Sequence, residues 1–148
     1  MDLGTRKFVL YPVDGLMADV ATPYMAIATT LLQKIIEIPL LDPPHTLRRL
    51  GEAAGLTPNQ SARVITSIKA IRDFWMRLDP LPELEVYRHH REIIFYAPRP
   101  TTIGLSSLMQ TIDWFEWHGF KNPLVLCEED EIGDPRVQGQ NGEIAIPT

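Results

Sequence analysis

The fold turns on residues 46 to 71, TLRRLGEAAGLTPNQSARVITSIKAI. Capping, turn chemistry and apolar spacing agree there on one compact motif. Thr46 is placed to cap a short helix whose Leu47, Leu50, Ala53 and Ala54 share a face at three- and four-residue spacing, and Gly55 supplies the left-handed residue that ends it. Leu56 then turns inward. Thr57 caps a second helix, Pro58 takes its first position, where no amide donor is needed, and Gln60 completes a Thr-x-x-Gln capping box. The stretch predicts helix, tight turn, helix. In the second helix Ser61, Val64, Ile65, Ile68 and Ile71 fall on the inward face, which leaves Asn59, Gln60, Arg63, Ser67 and Ala70 on or near the outward one.

Working outward toward the N-terminus, Thr22-Pro23 opens a helix whose apolar stripe runs from Tyr24 through Ile27, Leu31 and Ile35 to Ile38, before Pro39. Leu41-Asp42-Pro43-Pro44 turns the chain into the central motif. Earlier still, Lys7 to Val13 is β-branched and aromatic, ends at a proline and Asp14-Gly15, and reads as a short strand or extended arm. On the other side, beyond Asp79-Pro80-Leu81-Pro82, come two β-prone runs, Leu84 to Tyr87 and Ile93 to Tyr96, joined by Arg88-His89-His90-Arg91-Glu92. They predict a hairpin with a basic tip. Adjacent strand residues point to opposite faces and the lone cysteine is distant, so His89 and His90 are not read as metal ligands, and no metal or cofactor is expected.

Leu47, Leu50, Glu52-Ala53, Gly55-Leu56, Thr57-Pro58 and Arg63 resemble the helix-turn-helix of winged-helix transcription regulators, over roughly residues 24 to 97. The chain departs from that family at Gly51, where alanine is usual, and at Ser61, where an aliphatic residue normally plugs the space between the two helices. The resemblance implies a three-helix core with a β-hairpin wing. It also implies that Arg48 and Arg49 touch the DNA backbone, while the amides of Asn59 and Gln60 and the guanidinium of Arg63 enter the major groove. The tip residues Arg88, His89, His90 and Arg91 would form the wing, straddling phosphates or a minor groove.

The C-terminal third predicts a further helix from Thr101 or Thr102 to about His118, with Ile103, Leu105, Leu108, Met109, Ile112 and Phe115 inward and Gly119 as its stop. Trp114, Trp117 and Phe120 fall outside that stripe, either roofing the core or anchoring a protein partner. Leu124 to Cys127 reads as a strand. Glu128 to Asp134 is acidic without the pattern of a calcium loop, and Asn141-Gly142 either turns a small hairpin between 137 to 140 and 143 to 146 or belongs to a loose tail. The expected fold class is therefore α+β: a winged-helix-like domain over 22 to 100, preceded by an arm over 1 to 21 and followed by a packed extension over 101 to 148.

With 148 residues, 45% of them hydrophobic, the chain has material for one domain with a real core. No apolar run approaches the roughly 18 residues of a membrane span, no leader pattern opens the chain, and Cys127 has no partner for an internal disulfide. A cytoplasmic protein with no membrane contact is the expectation. The net charge of −5 is unevenly spread: residues 45 to 100 hold nine basic and six acidic side chains, while the flanks are both acidic. There is no nucleophile elbow, phosphate-cradling glycine loop or zinc-protease motif, so the chain is not read as an enzyme.

Two functions remain. One is transcription regulation by sequence-specific binding of double-stranded DNA. The other is a winged-helix-like adaptor that binds a protein of the transcription machinery through Trp114, Trp117 and Phe120, in the manner of small phage-encoded regulators. The polar outward helix face favours DNA, the acidic flanks and Ser61 favour the adaptor, and the C-terminal helix offers a route to a homodimer.

Overall fold

The computed structural model describes the backbone of residues 5–90, 92–129 and 142–147. In chain order the elements are β1 (Thr5–Pro12), β2 (Ala18–Asp19), α1 (Ala21–Leu32), α2 (Leu47–Ala53), α3 (Pro58–Lys69), β3 (Asp79–Pro80), β4 (Ile93–Pro98), α4 (Ser107–Trp117), β5 (Val125–Glu128) and β6 (Gly142–Pro147). Short 3-10 helices occupy Phe74–Arg77 and Pro82–Tyr87. The class is mixed α and β, as expected.

The two helices of the central motif form, and α1 packs against them. Thr46 accepts from the Arg49 amide, and Thr57 and Gln60 close the reciprocal capping box that starts α3. Gly55, at φ +77°, makes the turn between α2 and α3. Val64 and Ile68 of α3 are buried with Leu47 and Leu50 of α2 and Tyr24 and Ala28 of α1 in one apolar core. Ile65 is only partly buried, so the centre of the buried face lies one residue away from the position expected.

Gly51 and Ser61, the two departures from the winged-helix pattern, explain each other. Gly51 is buried, and a Cβ there would stand 2.6 Å from Ser61 Oγ and 2.9 Å from Tyr24 Oη. The missing methyl makes room for a hydroxyl on the facing helix. Gly51→Ala should therefore cost about 1–3 kcal/mol through overpacking, despite alanine's better helix propensity, and Ser61→Ala in the same chain should recover part of the loss. Urea unfolding of the parent, the single variant and the double variant checks this. A Gly51→Ala protein more stable than the parent would mean that the helices do not approach so closely.

Helix α1 ends at Leu32, six residues before the expected Ile38. Gln33 takes a left-handed conformation that ends the helix, and Thr29 Oγ1 accepts the Ile36 amide of the departing chain at 3.0 Å.

The expected hairpin wing does not form. Leu84 to Tyr87 lies in the 3-10 helix that Pro82 opens, and Ile93–Pro98 is an inner strand of a sheet ordered β5-β4-β1-β6. β4 runs parallel to β1, with Val9 opposite Ile93 and Tyr11 opposite Phe95, and parallel to β5, with Phe95 opposite Val125. β6 closes the other edge antiparallel to β1. Every residue of β4 is buried, which the unbroken run Ile-Ile-Phe-Tyr-Ala-Pro foreshadows: a wing strand would alternate, whereas a strand flanked on both sides and covered on both faces is apolar throughout. Phe95, Ile93 and Ala97 join the helix-side core, while Ile94 and Tyr96 pack with Phe8 and Leu10 on the opposite face. Residues 137 to 140, expected to pair with 143 to 146, lie outside the described residues.

The three-helix unit is thus part of the long crossover from β1 to β4, and α4 is the crossover from β4 to β5. Helix α4 begins at Ser107, capped by Ser106, and of the residues expected inward only Phe115 is buried, with Ile112 half-buried. Ser107, Gln110, Thr111, Trp114 and Phe115 are buried, while Ile103, Leu105, Leu108 and Met109 are exposed. A polar network makes this possible. Gln110 accepts the Trp75 amide and donates to Thr102 Oγ1 and the Leu105 carbonyl, and Ser107 donates to the Pro100 carbonyl. No helix among the described residues is long and apolar enough to cross a membrane.

Candidate nucleic-acid interface

Helix α3 carries the candidate surface. Beyond the first residue, Pro58, its exposed residues are Asn59, Ala62, Arg63, Thr66 and Lys69, which recur at three- and four-residue spacing and so form one polar, cationic stripe. Asn59 and Arg63 stand where the sequence places them. Gln60 does not project as a free reader, because its Oε1 accepts the Thr57 amide at 3.0 Å in the capping box. Thr66 and Lys69 were missed in the sequence; counting forward from Asn59 and Arg63 in steps of three and four reaches both. Residues 46 to 72 hold five Lys or Arg and one Glu, on a chain of net charge −5.

The preceding helix contributes less than its two arginines suggest. Arg48 is exposed and pairs with Glu52 one turn on, at 3.3 Å. Arg49 is turned back, its Nη1 donating to the carbonyls of Asp42 at 3.1 Å and Pro44 at 2.6 Å, so it fastens the proline-rich link to α2.

The basic tip expected at 88 to 91 is a different object. Arg88 grips both carboxylate oxygens of Glu85 at 2.7 and 2.9 Å, donates to the His118 carbonyl, and lies over the Phe120 ring. It joins the 3-10 helix to the end of α4. That guanidinium holds the Glu85 carboxyl below its ordinary pKa, while burial, with Arg88 second, lowers that of His118. His89 and His90 are exposed, and the His90 ring rests 5.7 Å from that of Tyr87. Arg91 lies outside the described residues. Among the described residues no group of histidine, cysteine and carboxylate side chains is arranged to hold a metal.

The three aromatic residues proposed for a protein interface divide. Trp114 is 1% exposed and donates its indole N–H to the Leu78 carbonyl at 2.8 Å, and Phe120 is buried against Phe95 and Phe115, so both belong to the core. Trp117, at 84% exposed, is the one of the three available to a partner.

Sequence reasoning missed the buried ion pair altogether. Arg99, at the end of β4, meets both oxygens of Asp14, just beyond β1, at 2.7 and 2.9 Å, and donates to Thr111 Oγ1 of α4 at 2.8 Å. These residues are 85 positions apart and no motif links them. Burial also raises the pKa of nearby Cys127. All these groups are occupied with each other, and the cluster serves as a structural clasp. Comparison of the chain with protein-family models, with curated proteins and with solved structures finds no match.

Proposed function

We propose that this protein binds duplex DNA through a helix-turn-helix made of α2, the turn at 54 to 57 and α3, and regulates transcription by doing so. The supporting observation is the exposed stripe Asn59, Arg63, Thr66 and Lys69 on the most basic segment of an otherwise acidic chain. A helix with side chains is about 10–12 Å across and matches a major groove about 12 Å wide. In this reading Arg63 and Lys69 meet phosphates and Asn59 reads a base edge, its amide being suited to adenine. The likeness to winged-helix regulators then rests on the three-helix unit alone. Arg88 is engaged by Glu85 and is not assigned to DNA.

The test is an anisotropy titration of labelled duplexes at two salt concentrations. Arg63→Ala and Lys69→Ala should weaken binding to all sequences and each lower the salt slope by about 1, Asn59→Ala should chiefly erode discrimination, and Arg88→Ala should leave affinity unchanged provided the fold holds. No affinity for any duplex at roughly 50 mM salt would retire the reading. The adaptor reading keeps one observation of its own, the exposed Trp117 at the end of α4. Nuclease-resistant capture of a transcription-machinery protein, lost on Trp117→Ala, would favour it.

A further inference from the structure

Exposed apolar side chains collect where the chain enters α4. Among the described residues ten large apolar side chains are exposed, and five of them, Met76, Ile103, Leu105, Leu108 and Met109, belong to this junction, each 37–47% exposed. Gln110 draws their segments together. Its amide nitrogen donates to Thr102 Oγ1 at 2.9 Å and to the Leu105 carbonyl at 2.7 Å, which lays the 102–105 loop against the first turn of α4. Its Oε1 accepts the Trp75 amide at 2.9 Å, which seats the 3-10 helix carrying Met76 at the same place. Gln110 is fully buried with these bonds made, so the frame beneath the apolar side chains is fixed.

The exposed charges beside this junction are of one sign. The Ile103 amide donates to the Lys69 carbonyl at 3.0 Å and its carbonyl accepts the Asp73 amide at 2.8 Å, while Arg77 Nε donates to the Arg72 carbonyl at 2.9 Å. Lys69, Arg72 and Arg77 are thereby held at the end of α3 next to the loop, all three exposed and none in an ion pair among the described residues. The carboxylate between them in sequence, Asp73, is engaged by the loop. Its Oδ1 accepts the Leu105 amide at 3.0 Å, and Gly104, at φ +109°, leaves no room for a Cβ against it. On a chain of net charge −5, the junction therefore combines apolar side chains with cations that lack a counter-charge.

We infer that this junction docks a protein segment that is both apolar and acidic, an amphipathic helix whose apolar stripe covers Met76, Leu105 and Met109 while its carboxylates meet Arg72 and Arg77. Charge complementarity selects the occupant: the apolar side chains alone would accept any apolar stripe, and the cations favour one bordered by Asp or Glu and repel a basic one. Met76 and Met109 suit the task, since unbranched thioether side chains adapt to the shape laid on them. The surface stands independently of DNA binding and of Trp117, which is at the far end of α4. Lys69 also belongs to the stripe of α3, so Arg72 and Arg77 carry the test.

The full chain, free of nucleic acid, is used to select from a phage-displayed library of random peptides about 16 residues long, some four helical turns. The recovered peptides are then labelled and titrated by anisotropy. They should be rich in Asp and Glu and carry apolar residues at three- and four-residue spacing. Arg72→Glu should weaken their binding by about tenfold, Arg77→Glu in addition should weaken it further, and Met109→Ser should cost about fivefold. Unchanged far-ultraviolet circular dichroism of each variant separates lost docking from lost fold, and Met109→Ser alters an exposed side chain only. Peptides without acidic enrichment, or peptides indifferent to these substitutions, overturn the inference. So does sedimentation of the parent with phosphatidylcholine–phosphatidylserine vesicles that Arg72→Glu abolishes while no acidic peptide is recovered, since the occupant is then an anionic lipid surface.

Discussion

Replacing Arg99 with alanine should destabilise the protein by about 3–5 kcal/mol, because it removes one member of a buried ion pair and strands the other. Arg99 is fully buried and Asp14 2% exposed. Taking both out of water is costly, and the cost is offset only because the guanidinium forks onto the carboxylate, donates to Thr111 and lies 4.6 Å above the Trp75 ring. Without the arginine, the Asp14 carboxylate has no counter-charge and the end of the sheet loses its tie to α4. Arg99→Lys should also be poorly tolerated, since a point charge cannot reproduce the fork. The pair differs from its members: Asp14→Leu with Arg99→Met replaces both charges by apolar groups and should recover most of the loss. Urea unfolding of the parent, Asp14→Leu, Arg99→Met and the double variant as a double-mutant cycle reads this, and an Arg99→Ala variant as stable as the parent would show that the clasp contributes nothing.

That clasp marks where the sequence ceased to be legible. The motif at 46 to 71 was readable because its information is local: Thr46, Thr57, Gln60 and Gly55 each satisfy or terminate a backbone within four residues. Pairings between distant strands leave no such trace. Leu84 to Tyr96 carries β-prone residues on both sides of a polar link, which suits a hairpin equally well until β1 and β5 are known to flank Ile93–Pro98. The unbroken apolar run was the available signal for an inner strand, and the two prolines before Leu84 argued against a strand there.

Helix α4 failed for a different reason. Hydropathy assigns Leu105, Leu108 and Met109 inward and Gln110 and Thr111 outward, yet Gln110 and Thr111 are the buried ones. Their polar atoms are matched to the Trp75 amide, Thr102, Leu105 and Arg99, all supplied from elsewhere in the fold. A buried polar face is stable only when such partners exist, and an apolar pattern carries no record of them. The same network leaves Leu108 and Met109 at the surface. For the candidate DNA surface, Asn59 and Arg63 were legible from helical phase, while the tip at 88 to 91 was lost with the hairpin that was to carry it.

Trp114 and Trp117 put that rotation of α4 to a direct test, since two residues of one type, three positions apart, should fail in opposite ways. Trp114→Ala removes a fully buried indole in edge contact with Phe115 and leaves the Leu78 carbonyl without its donor, so it should cost about 3–5 kcal/mol. In a chain of this length that corresponds to a fall in midpoint of roughly 10 °C or more. Trp117→Ala removes a side chain that is 84% exposed and should change the stability of the isolated chain by no more than about 0.5 kcal/mol. Had the apolar stripe of α4 faced inward, Leu108→Ala would be the damaging change and Trp114→Ala the mild one. Thermal unfolding of these three variants therefore reports which face of α4 the protein buries, and equal losses at Trp114 and Trp117 would contradict the orientation in which Trp114 is buried and Trp117 exposed.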